Sequence, residues 1–249
     1  MTKDWLHQNI LCNPNGSKTI LGFHGFGGSP FDYKPLCDNL IRHDFRIVLP
    51  KINDTNLSNV AEESISIDTW LQPYQTILQQ ELQRDPNLYL MGFSMGGAMS
   101  SIFAQKFSLS KLILLAPYYG LPHFNNIATS LGNSLSYILP RLPKFQSGRI
   151  QSREGRKRYQ CPVYTVDVKS FLGLQHLAKQ AQIYIQKIPS GTSILWCHGP
   201  DDPVAGFQIA QSVMPPFAQL VSLPKTDHIV LYDHDAHLVI SNIQRFLKR

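Results

Sequence analysis

The sequence predicts an α/β fold built on a mostly parallel, doubly wound sheet. Short apolar runs rich in Ile, Leu and Val recur along the chain, and most of them end at Gly, Pro or a polar turn. Near-continuous apolar runs are typical of strands that are covered on both faces, as in a parallel sheet. Segments with helical periodicity lie between the runs, and this alternation favours the doubly wound arrangement. The predicted strands are Thr19–Phe23, Arg46–Pro50, Leu88–Gly92, Lys111–Ala116, Ser193–Cys197 and Gln219–Leu223.

Two long helices are predicted among the segments that accompany these strands. The stretch Ile67–Arg84 places apolar residues at helical spacing and has Asp68 near its start as a candidate cap. The last stretch, Ala236–Leu247, repeats the pattern. Each carries one apolar face, as expected of helices that pack against a sheet.

A long interval separates the fourth predicted strand from the fifth. From Pro117 to Gly191 no apolar run predicts a strand, and a structureless loop of this length is uncommon in a compact domain. An insertion at the carboxyl edge of a parallel sheet lies where ligands bind. We therefore predict a helical lid over residues 119–189, inserted in a core of residues 1–118 and 190–249. Its two apolar stripes are Phe124, Ile127, Leu131, Leu135 and Ile138, then Phe171, Leu174, Ala178, Ala181 and Ile185.

Length and composition fit one core domain with an insertion. The chain has 249 residues, 43% of them hydrophobic, and no run of about 18 apolar residues of the kind that spans a membrane. The first residues show no charged-then-apolar signal segment, which favours a cytoplasmic location. The cysteines form no CxxC pair and indicate no disulfide framework, as expected of free thiols in a reducing compartment. They are Cys12, Cys37, Cys161 and Cys197.

The net charge of +6 arises in a single segment. Between Arg141 and Arg158 seven basic residues accompany one acidic residue, Glu154, and the rest of the chain is neutral. A nucleic-acid-binding protein more often spreads positive charge along a face, so we predict no nucleic-acid partner. The segment is either a solvated loop or a surface for transient contact with an anionic membrane, where each cation contributes about 1 kcal/mol.

The motif Gly92-Phe-Ser94-Met-Gly96 follows a predicted strand and opens a helical stretch, Ala98–Phe107. Between a strand and a helix, Gly-x-Ser-x-Gly is typical of a nucleophilic serine at a strained turn, where the glycines leave room for crowded backbones. The helix start adds backbone N–H groups and a positive dipole end. The alternative is a glycine-rich turn that only packs strand against helix. We predict that Ser94 is a nucleophile.

A serine hydroxyl reacts only when a neighbouring base takes its proton. Among nine histidines, His228 is best placed, because it follows the last predicted strand. His24 lies in an early His-Gly loop and is expected to shape that turn. His198 follows another strand and is expected to point away from the serine. His234 and His237 have the spacing of a metal pair, but no further ligand group accompanies them, so we expect a helix surface and no metal.

The base in turn needs a carboxylate that orients it. Two aspartates, Asp201 and Asp202, come after the strand Ser193–Cys197, at its carboxyl end. Asp201 is equally suited to a turn or a helix cap. The chain order serine, aspartate, histidine is that of α/β-hydrolases, whereas other serine hydrolase folds use different orders.

Four motifs in this order make the chain resemble α/β-hydrolases of the carboxylesterase and monoacylglycerol-lipase type. The resemblance covers roughly residues 17–118 and 190–249 and implies a lid after the sixth strand of the family's order. The family's Gly-x-x-Asp-x-Val pattern selects Asp202 as the triad acid. The resemblance also implies that the backbone N–H groups of Phe26 and Met95 bind the oxyanion. The motifs are His24-Gly-Phe-Gly-Gly-Ser29, Gly92-Phe-Ser-Met-Gly96, Gly199-Pro-Asp-Asp-Pro-Val204 and His228-Ile-Val-Leu-Tyr-Asp233.

One departure concerns the N-terminus, where only about 18 residues precede the first predicted strand. The family's N-terminal strands are therefore expected to be short or partly missing.

The resemblance implies hydrolysis of carboxylic esters, with a short- to medium-chain acyl group or a monoacylglycerol-like substrate, through an acyl-enzyme and without metal or organic cofactor. A thioesterase, amidase, carbon–carbon hydrolase or cofactor-free peroxidase would use the same triad, and the fold alone does not choose between them. A non-catalytic binding protein on the same scaffold is a further alternative. The oligomeric state is left open.

Overall fold

The structure, a computed structural model, describes residues 2–40, 43–107, 109–121, 140–143 and 149–248. Seven strands in these ranges form one sheet: β1 (Ile10–Cys12), β2 (Lys18–Phe23), β3 (Phe45–Leu49), β4 (Tyr89–Phe93), β5 (Lys111–Leu115), β8 (Ser193–His198) and β9 (Gln219–Ser222). Their order in the sheet is β1-β3-β2-β4-β5-β8-β9. Every neighbouring pair is parallel except β1 with β3.

The predicted α/β fold is confirmed. All six predicted strands occur, with ends that differ from the predicted ones by at most one residue, and they form the parallel part of the sheet. The additional strand β1 is an antiparallel edge strand of three residues. It agrees with the expectation of short N-terminal strands.

Helices flank the sheet on both faces. Within the described ranges the α-helices are α1 (Thr2–His7), α2 (Lys34–Leu40), α3 (Leu57–Ala61), α4 (Ile67–Arg84), α5 (Met95–Phe107), α6 (Arg153–Arg158), α7 (Val168–Ile185), α8 (Phe207–Val213) and α9 (Ala236–Leu247), and two short 3-10 helices cover Pro30–Tyr33 and Asp54–Asn56. The predicted bounds of α4 and α9 are confirmed. The predicted cap of α4 is wrong: the Ser66 side chain accepts a hydrogen bond from the Thr69 N–H at 3.0 Å. Asp68 lies in the first turn and forms an ion pair with Lys106.

Alternate residues of the strands enter two different hydrophobic clusters. In β5, Leu112 and Leu114 belong to the cluster that holds the buried faces of α4, α5 and α7. Ile113 and Leu115 belong to the cluster beneath α2 and α9. Because both faces of each central strand are covered, the strands carry the continuous apolar runs seen in the sequence.

The interval between β5 and β8 contains elements that the sequence does not predict, the short helix α6 in the basic segment and one pair of strands. A two-stranded antiparallel ribbon, β6 (Arg141–Pro143) with β7 (Thr165–Asp167), lies where no strand is predicted. Three residues with a single central apolar side chain are too few to show a strand period. The first predicted helical stripe, residues 124–138, lies outside the described residues. The division into core and lid stays a prediction.

The second predicted stripe forms α7, which packs deep in the protein. Leu177, Ala178 and Ala181 are fully buried and belong to the same cluster as the inner face of α5. Leu174, a member of the same cluster, and Phe171, which packs against it, also line a cavity near the start of α7. This helix therefore packs against α5 on one face of the sheet and also reaches the cavity. None of the helices in the described ranges combines the length and the apolar character needed to cross a membrane.

The close contact between α7 and α3 gives a test of this packing. A Cβ atom added to Gly173 would lie 2.0 Å from the backbone oxygen of Leu57. We expect Gly173→Ala to lower the melting temperature by several degrees, since overpacking costs about 1–3 kcal/mol and 1 kcal/mol corresponds to roughly 2–4 °C in a chain of this size. Calorimetry measures the change. Gly191→Ala is the control, because nothing lies within 4 Å of its added Cβ; equal melting of both variants would contradict this packing.

Candidate active site

Ser94 lies at the sharp turn between β4 and α5. Its φ angle of 54° is left-handed, a conformation that costs a residue with a side chain of order 1–3 kcal/mol. The flanking glycines are required by crowding: a Cβ on Gly92 would lie 2.2 Å from the oxygen of Gly96, and one on Gly96 would lie 1.9 Å from the oxygen of Phe23. The motif therefore forms the strained turn that its residues predict.

Hydrogen bonds hold the backbone of Ser94 in this conformation. Its N–H donates to the Leu115 oxygen at the end of β5, at 3.0 Å. Its own carbonyl oxygen accepts from the N–H groups of Gly97, at 2.9 Å, and Tyr118, at 3.0 Å. The turn is thus fixed by the neighbouring strand and by the segment that follows it.

The structure brings Ser94, His228 and Asp202 together in one hydrogen-bonded chain. His228 Nε2 lies 2.9 Å from Ser94 Oγ, and His228 Nδ1 lies 2.8 Å from Asp202 Oδ2. All three side chains are buried. With a proton on Nδ1 directed to the carboxylate, Nε2 is left to accept the serine proton. Asp201, the alternative acid, is exposed at the surface.

The groups around Asp202 favour the ionised form of its carboxylate. Burial alone would raise its pKa, but the charge that His228 can carry and the N–H groups of His228 and His198 that face it outweigh burial. Together they hold the pKa of Asp202 well below its usual range. Its Oδ1 also accepts the backbone N–H groups of Val204 and Ala205, at 2.8 and 2.9 Å. A fixed negative charge therefore lies behind the His228 ring.

His198, which is expected to point away from Ser94, lies against the candidate acid Asp202, and the sequence does not predict this contact. Its Nδ1 accepts the indole N–H of Trp196 at 3.3 Å, and an indole nitrogen can only donate. The proton of neutral His198 is therefore on Nε2, which lies 3.4 Å from Asp202 Oδ2. At this distance the attraction is mainly electrostatic. His198 is fully buried, so this contact has little competition from water.

The His-Gly loop after β2 packs directly against Ser94. His24 Nε2 accepts the Ile52 N–H at 2.8 Å and its Nδ1 lies 2.8 Å from the oxygen of Gly25, so His24 shapes the turn as predicted. A Cβ on Gly25 would lie 3.2 Å from the Cβ of Ser94. This contact places the residue after Gly25, Phe26, at the edge of the site, where it lines the cavity.

Met95 is the first residue of α5, so its N–H has no partner within the helix. It lies at the positive end of the helix dipole, directly after the predicted nucleophile. Phe26 and Met95 thus belong to the two segments that adjoin Ser94, the His-Gly loop and the start of α5.

A cavity of about 250 Å³ opens over the serine. Its walls are largely apolar, and its polar wall residues include Asp32, Tyr159 and Arg149. The Tyr159 hydroxyl donates to Asp32 Oδ1 at 2.9 Å. Apolar wall residues include Phe93, Leu121, Val166, Phe171, Leu174 and Ile229.

His234 and His237 are exposed, and His237 Nδ1 lies 3.2 Å from the oxygen of His234. Within the described part of the chain, no cluster of three or more His, Cys, Asp or Glu side chains is arranged to hold a metal.

In the basic segment Arg141–Arg158, Lys144 lies outside the described residues, and Arg149 is half-buried. The other basic residues of the segment are exposed, namely Arg141, Arg153, Arg156, Lys157 and Arg158.

The loop that carries His228 is fixed by the buried carboxylate of Asp233. Its Oδ2 accepts the N–H groups of Gln151 and Asp227, at 2.8 and 3.0 Å. Its Oδ1 accepts those of Ser152 and His234, at 2.8 and 2.9 Å. Sequence reasoning includes Asp233 in a family motif, but it does not predict these four bonds.

A family model described as Serine aminopeptidase, S33, matches residues 14–241. The chain belongs to this family of α/β hydrolases. No curated protein matches the hydrolase by sequence.

Solved structures of similar fold include three lipolytic enzymes. One comes from work on LipS and LipT, two metagenome-derived lipolytic enzymes, with a TM-score of 0.80, 15% identity and coverage of 97% of each chain. Monoacylglycerol lipase of Paleococcus ferrophilus has a TM-score of 0.73 and 14% identity, over 96% of this chain and 97% of that one. A soluble variant of monoglyceride lipase from Saccharomyces cerevisiae, bound to a substrate analog, has a TM-score of 0.72 and 16% identity, over 96% and 90%. These similarities establish the shared fold.

The Asp233 contacts generate a stability prediction. In Asp233→Asn an amide NH₂ replaces one acceptor oxygen, so two backbone N–H groups lose their partner, at about 1–3 kcal/mol for each buried group. We expect a clearly lower melting temperature in a thermal unfolding experiment. Asp227→Asn is the matched control, because Asp227 accepts an exposed side-chain bond from Gln151 and can keep it through its amide oxygen. If Asp233→Asn melts no lower than that control, Asp233 does not fix the loop.

Proposed function

We propose that this protein is a serine hydrolase that cleaves carboxylic esters through an acyl-enzyme intermediate. The observation that carries the proposal is the buried chain of hydrogen bonds from Ser94 Oγ through the His228 ring to Asp202. Ser94 and His228 also line a cavity that can hold a small ligand. The lipolytic enzymes of similar fold support esters as the substrate class.

In the first half of the proposed reaction, Ser94 Oγ attacks the ester carbonyl carbon. His228 Nε2 accepts the serine proton as the new C–O bond forms, and ionised Asp202 stabilises the imidazolium. The tetrahedral intermediate then collapses: the bond to the alcohol oxygen breaks, and this oxygen takes the proton from Nε2. An acyl group remains on Ser94.

Charge develops on the carbonyl oxygen in both halves of the reaction. We assign the backbone N–H groups of Phe26 and Met95 as the donors that bind this oxyanion, each contributing about 10²–10³ in rate. In the second half, water gives a proton to His228 and attacks the acyl carbon, and Ser94 recovers its proton as the acid leaves. The proposed chemistry uses only side chains and backbone of this chain.

The cavity supports a short or medium acyl group. Its volume of about 250 Å³ is slightly below the usual range for small-molecule sites, about 300–1,000 Å³. Apolar side chains from α7 and β7, such as Leu174 and Val166, form part of its wall. We propose esters with a short to medium acyl chain, or monoacylglycerol-like esters, as substrates.

Thioesters, amides and activated carbon–carbon bonds remain alternative substrates, since the same three residues would attack each carbonyl. We also propose a cytoplasmic location, which the four free cysteines support. Transient contact with an anionic membrane through the exposed arginines and lysine of the segment Arg141–Arg158 remains a proposal.

A series of p-nitrophenyl esters from acetate to palmitate tests the proposed function. We expect wild-type activity with an optimum at short to medium chains, and a loss of at least about 10⁴-fold in kcat in Ser94→Ala. Ser100→Ala, which changes another buried serine of α5, is the control and is expected to retain activity. Equal activity of Ser94→Ala and wild type would refute the assignment of the nucleophile. A folded wild type that hydrolyses no ester, but hydrolyses thioesters or amides, would favour the alternatives.

A second kinetic prediction separates the roles of Asp202 and His198. Asp202→Asn is expected to lower kcat by about 10⁴-fold, because an amide neither orients His228 correctly nor balances its charge. His198→Phe keeps a ring against Phe207 but removes both the N–H that faces the carboxylate and the nitrogen that accepts the Trp196 indole N–H. We expect kcat to fall by less than about tenfold, since the contact with Asp202 is weak, and the unpaired indole N–H to lower the melting temperature. The same assay measures both, and the low-field proton resonance of His228 Nδ1–H should move in His198→Phe. An effect of His198→Phe as large as that of Asp202→Asn would contradict these roles.

A further inference from the structure

Arg149 carries a half-buried cation in the wall of the cavity that contains Ser94 and His228. The exposed basic residues of the same segment do not line this cavity. The other cation near the His-Gly loop, Lys51, donates to the Gly28 oxygen at 2.8 Å. Among the described basic residues of the segment, Arg149 is therefore the one with access to a substrate in this cavity.

The backbone of Arg149 is fixed to the loop of the candidate catalytic base. Its carbonyl oxygen accepts the N–H groups of His228 and Ile229, both at 3.0 Å. Two residues later, the bonds from Gln151 and Ser152 to the Asp233 carboxylate hold the segment again. The backbone of Arg149 is thus hydrogen-bonded directly to that of His228, which fixes the position from which the Arg149 side chain extends.

The guanidinium of Arg149 lies in a partly desolvated site. Burial lowers the pKa of Arg149, and the neighbouring groups Cys161, Tyr159 and Asp202 act in the opposite direction. Arginine nonetheless stays protonated in proteins. Among the residues that the structure describes, no carboxylate forms an ion pair with it within 4.0 Å. Partial removal of a cation from water is unfavourable, and an anion in the cavity would offset that cost.

Two buried carboxylates of the site, Asp32 in the cavity wall and Asp202 behind the His228 ring, are engaged by other groups. Asp32 accepts the Tyr159 hydroxyl at 2.9 Å and the Gly25 N–H at 3.3 Å. Asp202 is bonded to the ring of His228 and to two backbone N–H groups. Neither carboxylate replaces an anion from a ligand beside Arg149.

We propose that Arg149 binds an anionic group of the substrate, a carboxylate or a phosphate, at a fixed distance from the ester bond. A guanidinium presents parallel N–H donors that match the paired oxygens of either anion. This inference rests on the proposed ester hydrolysis and names its substrate class: an ester that also bears an oxyacid anion. The anion is on the acid side, as in a half-ester of a dicarboxylic acid, or on the alcohol side, as in an acyl glycerol phosphate.

Two matched pairs of substrates test the proposal and distinguish the two sources of the anion. Monomethyl adipate against methyl hexanoate places a carboxylate at the end of an acyl chain of equal length. Hexanoylglycerol phosphate against hexanoylglycerol places a phosphate on the alcohol. We expect wild type to favour the anionic member of one pair by about 10- to 100-fold in kcat/KM, as for a hydrogen-bonded charged contact.

Variants at Arg149 then locate the source of the preference. Arg149→Met is expected to abolish it while hydrolysis of the neutral ester persists, and Arg149→Lys is expected to retain part of it. Arg153→Met is the control, because it removes the same charge from an exposed position of the same segment. No preference in wild type for either anion, or a preference that Arg149→Met retains, would overturn the proposal.

A binding measurement keeps this proposal separate from the proposed hydrolysis. Calorimetric titration of Ser94→Ala with the preferred anionic ester and its neutral partner requires no turnover. If neither pair is turned over, both anionic esters are titrated. The anionic ester should bind about 10- to 100-fold more tightly, and the difference should disappear in the Ser94→Ala, Arg149→Met double variant. Equal binding of the two esters by Ser94→Ala overturns the role of Arg149, whereas anion-selective binding without ester hydrolysis refutes only the proposed reaction.

Discussion

The left-handed backbone of Ser94 is the constraint on which the rest of the site depends. A φ angle of 54° is unfavourable for serine, and it persists because β5 and the segment after it hold both backbone polar groups. The parallel sheet supplies this support, since β5 lies directly beside β4. In return, the turn raises the hydroxyl above the end of the sheet, where side chains from other strand ends can reach it. Fold and chemistry are therefore coupled through one strained residue.

The loop after β9 carries His228 and is held by carboxylates from two directions. Asp202 and the N–H groups that bind it come from the end of β8, and they orient the His228 ring. The Asp233 carboxylate joins the same loop to residues 151–152. A segment far away in sequence is thereby attached beside the candidate base, and it brings a guanidinium to the cavity wall. The same hydrogen bonds that position His228 thus also position Arg149.

Sequence patterns predicted the elements that are long or buried. The six apolar runs and the helices α4 and α9 were recognisable because burial on one or two faces imposes a period over many residues. Strands β1, β6 and β7 have three residues each, too few for any period. The contact between His198 and Asp202 depends on the turn that joins them. In this turn the Asp202 N–H donates to the Gly199 oxygen, at 3.2 Å, and the Asp202 carboxylate lies near His198 at the end of the strand. The place of Arg149 likewise depends on contacts between distant segments, which no local pattern records.

Covalent trapping tests the central claim, that His228 makes Ser94 a nucleophile, most directly. A fluorophosphonate ester reacts with activated serines to give a stable adduct, and peptide mass spectrometry locates the modified residue. The account predicts a single adduct on the peptide that contains Ser94, and a strongly reduced rate of its formation in His228→Gln. A folded wild-type protein that forms no adduct, that is modified at another residue, or that reacts equally fast in His228→Gln would contradict the account.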